Sequence, residues 1–391
     1  MQFIDKSIYV FGRYKISVIG ICWVLLAVVA GILELSRSSI NNYQIFQGVF
    51  WHTLHQQPLY LHYPNEYFDK NHYGPFFSIV IAPFALLPNS IGVLVWNIAN
   101  AGLLLYAVQQ LPIEKYKQYL ILWIALIEMM TAAHSVQFNS MLAAWLILSY
   151  TQVQKGKDVW ATLFIAAGFM VKLYGIAGLV FFLFSKRKWR FVVSFTGWLL
   201  LFFLLPMLLS SPNFQFNAYT DWAYNIIEKN AENASIAITH MQDISVMGIV
   251  KRGLQLPNLS MLPFLIFSFV GFCVPLINIK AYQHIRFQLY YLALVLISVV
   301  VYSSSAESAT YIIAVIGVAI WCSVQKQLQW WHVTLLILLF ICTILSPTEL
   351  CPPFLKQVIK QYALKALPCF IAWCCIVYAL LTEQFIQQPN T

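Results

Sequence analysis

The sequence predicts an all-α polytopic integral membrane protein. Of the 391 residues, 60% are hydrophobic and only 9% are charged, whereas soluble domains carry about 25% charged residues. Mean hydropathy is +0.72. The apolar residues form continuous runs rather than alternating, which excludes a transmembrane β-barrel and suits spanning helices of ~20 residues. The whole chain, 1–391, reads as a single membrane domain. The net charge of +9 does not imply nucleic acid, because Lys and Arg fall mostly in short loops, where they set topology.

The apolar runs lie near 15–35, 75–87, 91–111, 118–133, 139–153, 159–170, 173–184, 190–210, 262–279, 287–303, 307–324, 332–347 and 367–384. The first run lacks a small-residue cleavage motif and is expected to stay as helix 1. Lys6, Arg13 and Lys15 before it place the N-terminus in the cytoplasm by the positive-inside rule. Lys115 with Lys117, Lys155 with Lys157, the cluster Lys186-Arg187-Lys188 with Arg190, Lys280 with Arg286, and Lys326 mark further cytoplasmic turns. Only one net crossing then fits between Gly74 and Pro112. The run 75–87 is short and carries Pro75 and Pro83, with Pro88 just beyond. It is expected as an interfacial or re-entrant helix. About twelve crossings remain, with both termini cytoplasmic.

Two polar features interrupt these runs. Glu128 sits inside 118–133, where a carboxylate costs roughly 2.5–3.5 kcal/mol. It is expected to face either a partner on a neighbouring helix or a polar cavity. His134-Ser135-Val136-Gln137-Phe138-Asn139 follows, squeezed between two apolar runs. The stretch 159–184 must go out and return, turning at Met170-Val171-Lys172-Leu173-Tyr174-Gly175. Lys172 there either snorkels to the headgroups or pairs with an anionic ligand.

The longer loops, 36–74, 211–261 and 347–366, all fall outside. Within 219–233, Trp222, Ile226 and Ile227 have helical spacing; 353–367 carries Lys356, Lys360 and Lys365 on one side. Both are expected in the interface plane. The first outer loop supplies Arg37, Asn41, Asn42, His52, His55, His62, Glu66, Asp69, Lys70, His72 and Tyr73. His52 and His55 are spaced i, i+3, but no further ligand follows in orderly spacing, so no metal is expected. The loop aromatics suit either sugar stacking or an interfacial belt. The eight scattered Cys read as small apolar packing residues.

At this point a resemblance emerges. Tyr73-Gly74-Pro75-Phe76-Phe77, then Ala82-Pro83-Phe84-Ala85-Leu86-Leu87-Pro88 and a helix bearing Trp96, resembles the "YPPL…APLALLP…W" element of family 87 glycosyltransferases. Pro58-Leu59-Tyr60 is similar to that family's "D-P-Y", Gln137-Phe138-Asn139 to its "GQxN" turn, and Lys172 opens the second arm of the next hairpin. The order and spacing cover roughly residues 15–210.

The resemblance implies the GT-C architecture, with the active site on the extracytoplasmic side, and a bacterial inner membrane as the setting. It implies a polyprenyl-phosphate sugar donor, often mannose, a glycolipid or glycan acceptor, no nucleotide or other cofactor, and inversion at the anomeric carbon. A carboxylate of the first outer loop would act as base and cationic groups would stabilise the leaving phosphate. One departure matters. The family's "D-F-x-x-Y" acid falls here on Asn41-Asn42-Tyr43-Gln44, and an amide is no general base near neutral pH. Asp69, then Glu66, is expected as the substitute. Lys172 and Arg37 are expected to bind phosphate, and Gln137, Asn139 and Glu128 to line the sugar pocket. Asn41, Asn42, Tyr73, His134 and Tyr174 complete the expected substrate-binding set. Two alternatives stay open: a secondary transporter coupled through Glu128 and Glu307, and a catalytically silent protein of the same architecture.

Overall fold

The structure is a computed structural model and describes residues 7–10, 14–235, 242–256 and 259–386. Lys6 and Arg13, two of the residues used to assign the inner face, lie outside the described residues. The chain forms two compact units. The first comprises Met1–Pro112 and Ala132–Lys229, the second Ile113–Thr131 and Asn230–Thr391. Helix dominates both. One addition to the all-α expectation is an antiparallel ribbon, Ser7–Val10 with Tyr14–Ser17, in the register Ser7 to Ser17. It leads directly into helix Val18–Ser36, whose N-cap Ser17 accepts from the Gly20 N–H.

In the first unit, Asn89–Gln109 packs against both Val18–Ser36 and Asn139–Gln154, and Asp158–Val171 packs against Asn139–Gln154 and Lys188–Leu204. Helix Asn139–Gln154 is buried almost along its whole length, so it forms the centre of this unit. Val18–Ser36, Asn89–Gln109 and Lys188–Leu208 are long and apolar enough to cross a membrane, as is Leu364–Leu381 in the second unit. The protein is membrane-embedded. Helix Phe77–Ala85 has nine residues, about 14 Å of rise, and is too short to cross.

The hairpin 159–184 resolves in an unexpected way. Its first arm is the α-helix Asp158–Val171, but its second arm, Leu173–Phe184, is a 3-10 helix of 12 residues. At ~2.0 Å per residue this arm reaches about 24 Å, against about 18 Å as an α-helix. The arms approach closely because Gly168 and Gly175 meet: a Cβ on Gly175 would fall 2.2 Å from the Gly168 carbonyl carbon.

In the second unit, Ile285–Val301 and Tyr311–Ser323 form the buried pair at its centre, with Leu367–Leu381 packed against both. Glu307 caps the short turn Ser308–Thr310 through a reciprocal bond pattern with Thr310. Helix Pro353–Gln361 is amphipathic, with Phe354 exposed, and ends before Ala363, which adopts a left-handed conformation. Lys365 is therefore not on the Lys356 and Lys360 side of that helix. It is turned inward and buried.

Candidate active site in the first outer loop

The site grows from the loop between helix Asn41–Leu54 and helix Phe77–Ala85. Gly74 fixes its end. The Gly74 N–H donates to the Val171 carbonyl at 3.0 Å, and a Cβ there would fall 2.1 Å from the Met170 oxygen. Only glycine permits that approach, which carries Tyr73 to Lys172. Asn71 clamps the preceding turn, accepting from the Tyr73 N–H at 2.9 Å and donating to the Tyr73 carbonyl at 3.1 Å. Tyr60 donates to the same carbonyl at 2.9 Å.

Lys172 follows the last turn of Asp158–Val171 in an extended conformation. Its Nζ donates to Asn139 Oδ1 at 3.1 Å and lies 4.8 Å from the Tyr174 ring centroid and 5.9 Å from that of Tyr73. Asn139 is fully buried and donates in turn to Gln137 Oε1. Between them, Phe138 stacks on Trp96 and meets Tyr73 edge-on. Tyr73, Gln137, Asn139, Lys172 and Tyr174 are thus brought together around one ammonium.

His72 is central to the charge distribution. Its Nδ1 accepts from Asn225 Nδ2 at 3.1 Å, its carbonyl accepts from Trp222 Nε1 at 3.2 Å, and its Nε2 is buried without a hydrogen-bond partner among the described residues. Burial and the nearby Lys229, together with Lys70 and Lys172, push its pKa down to about 4, against the opposing pull of Asp69. At neutral pH the ring is uncharged, with the proton assigned to Nε2 from the Asn225 bond. Asp69 accepts from the Lys70 N–H at 2.8 Å. Lys70 also binds Glu228 at 2.7 Å, which lowers the Glu228 pKa.

The other expected residues are placed differently. Glu66 is bonded to His52 Nε2 at 2.9 Å. Asn41 accepts from the Phe68 N–H at 2.6 Å, and Asn42 donates to the Ser135 carbonyl at 2.7 Å, so both amides tie chain segments together. His134 Nδ1 lies 2.8 Å from Glu34, and Arg37, largely exposed, lies 3.9 Å from the same carboxylate. Glu128 belongs to the second unit. There it binds Lys365 at 2.8 Å, and Lys365 binds Ser308 at 2.9 Å.

The sequence places His72 only among the polar residues of its loop and Trp222 only on the apolar side of a helix, and it does not single out Lys229 or Asn225. The helix Pro212–Ser235 turns Trp222 and Asn225 inward onto the 71–74 loop. Nothing in the local pattern pairs residues about 150 positions apart. The dense PNEYFDKNHYGP stretch was the available signal for His72.

No curated protein matches this chain. The sequence profile of glycosyltransferase family 87 matches residues 71–347. That span includes His72, Tyr73, Gln137, Asn139 and Lys172, and it covers well over half of the chain. The protein is an enzyme, and the chain belongs to glycosyltransferase family 87.

Proposed function

We propose that this glycosyltransferase moves a hexose, mannose-like in class, from a polyprenyl-phosphate donor to a lipid or glycan acceptor on the extracytoplasmic face, with inversion. The observation that carries this reading is the Lys172 ammonium, oriented by the buried Asn139 and facing the Tyr73 and Tyr174 rings. A leaving phosphate gathers negative charge as its bond to the sugar breaks. Preorganised cations in a shielded site stabilise that charge. Lys172, oriented by Asn139 and covered by Tyr73 and Tyr174, is the principal phosphate ligand. Gln137 and Asn139 stand beside it for the sugar.

In this reaction the acceptor hydroxyl gives its proton to Asp69. Its oxygen bonds to the anomeric carbon as the carbon–oxygen bond to phosphate breaks, and polyprenyl phosphate leaves with the electron pair. Asp69 suits the role because its charge is felt at His72, within the same group as the lysines. Glu66 is the weaker choice, since His52 already engages its carboxylate. A second base is favoured by one contact pair. Glu34 is held by His134, one residue from the Ser135 carbonyl that Asn42 binds, so a carboxylate sits near the amides at the family's usual acid position. The proposal places the chain in a bacterial inner membrane with about twelve crossings and cytoplasmic termini.

The test is a transfer assay in membranes containing the protein. Radiolabelled polyprenyl-phosphate hexoses are compared with radiolabelled sugar nucleotides. Label is expected in lipid or glycan product from the polyprenyl donor alone. Transfer from the nucleotide, or from neither, overturns the donor assignment.

A further inference from the structure

Next to the 71–73 segment lies a cavity of about 520 Å³, lined by Tyr60, Asp221, Tyr224, Asn225 and Glu228 among others. Its size lies in the range of about 300–1,000 Å³ usual for small-molecule sites. Positions 221, 224, 225 and 228 recur at helical spacing and so share one face of helix Pro212–Ser235. The opposite wall is Tyr60, whose hydroxyl is spent on the Tyr73 carbonyl, leaving its ring as surface.

The lining chemistry is selective. Asp221 is an exposed carboxylate and Glu228 is paired with Lys70, so this wall keeps a net negative charge and an anionic ligand such as a phosphate headgroup is disfavoured here. Asn225 is only 4% exposed. Its amide nitrogen is committed to the Asn71 carbonyl and to His72, while its Oδ1 is buried without a partner. Tyr224, 69% exposed, offers a broad aromatic face at the rim. A hydroxyl donor for the Asp221 carboxylate, together with an apolar C–H face for the tyrosine rings, describes a neutral sugar.

We infer that this cavity is a subsite for a neutral sugar ring of the acceptor glycan. The inference rests on the transferase reading above and names its acceptor class. The 71–73 segment connects the cavity lining to the Lys172 group: Asn225, a lining residue, binds the Asn71 carbonyl, and the Tyr73 ring faces Lys172. The ring held here is therefore one beyond the reacting hydroxyl.

Saturation-transfer NMR on the purified full chain in nanodiscs tests this, with methyl α-mannoside and a neutral mannose disaccharide as probes and inorganic phosphate as competitor. Wild type is expected to bind the saccharides without competition from phosphate. Tyr224→Ala should weaken binding by about five-fold, and Asp221→Asn should weaken it as well. Both side chains are exposed, so neither change threatens folding. Lys157→Ala, an exposed change at a turn outside both groups, should bind saccharide as wild type does. Absence of saccharide binding in wild type, or binding unchanged in both cavity variants, overturns the subsite. If binding depends on Tyr224 but no polyprenyl donor is used, the donor assignment falls and the subsite stands. If transfer proceeds while binding ignores Tyr224, the subsite alone falls.

Discussion

Lys365 in the second unit and Lys172 in the first are both lysines set among apolar helices, and the side chains that orient them differ in kind. Lys365 is 3% exposed and bonded to the fully buried carboxylate of Glu128. Lys172 is bonded to the amide oxygen of Asn139 and faces two tyrosine rings. The Glu128 carboxylate neutralises the Lys365 ammonium, and the Asn139 amide orients that of Lys172. Depth in an apolar run therefore marks both positions without telling them apart. The partner does so. The sealed ion pair is a device of the fold, whose desolvation is offset only while both members are present. The oriented cation is suited to recruiting an anion.

Asp69 offers the sharpest way to break the comparison. If the chemistry belongs to the first outer loop, Asp69→Asn should lower the transfer rate by ~10²–10⁴. The thermal unfolding midpoint should barely move, because the change is isosteric at a partly exposed position. Initial rates with labelled donor provide the check. A rate within a few-fold of wild type would move the base to Glu34, where Glu34→Gln should then produce the large loss.

The second unit should show the reverse pattern. Lys365→Ala leaves Glu128 buried and unpaired and should destabilise the protein by ~3–5 kcal/mol. Lys365→Met combined with Glu128→Leu should recover most of that loss. Thermal unfolding in detergent reads both. An additive loss in the double variant would mean that the pair is not acting as a unit.

The smallest effect concerns acid. The His72 pKa is lowered from 6.5 to about 4, so the unfolded chain takes up a proton between these values while the folded one does not. His72 therefore subtracts stability as pH falls from 6.5 towards 4, and nothing more below that. His72→Gln should narrow the gap between unfolding midpoints measured at pH 7 and pH 5. An unchanged gap would mean that His72 is not buried as described.

Much of this was legible in the sequence, for local reasons. Continuous apolar runs announce membrane helices, the proline spacing announces the short helix Phe77–Ala85, and parity places Lys172 at a turn. Choices that depend on distant partners were not legible. Asp69 and Glu66 lie three residues apart, and only His52 bonding to Glu66 separates them. Glu128 pairs with a lysine 237 positions away, so a pocket role and a structural role looked alike. Arg37 looked like a phosphate ligand, yet Glu34 is its neighbour. The 3-10 winding of Leu173–Phe184 depends on the meeting of two glycines across the hairpin, which no helical period signals.

The central claim, that an oriented cation in the first unit takes the leaving phosphate, is tested most directly by polyprenyl phosphate release. Purified wild type, Lys172→Ala, Lys157→Ala and the Glu128→Leu/Lys365→Met double variant are compared at subsaturating labelled donor and equal amounts of folded protein. Loss of a charge-assisted bond, ~1.5–3 kcal/mol, should slow Lys172→Ala by about 10- to 150-fold. Lys157→Ala, an exposed change at a turn, and the double variant should stay near wild type. Release from Lys172→Ala at the wild-type rate, with the double variant inactive, would contradict the account and move the chemistry to the second unit.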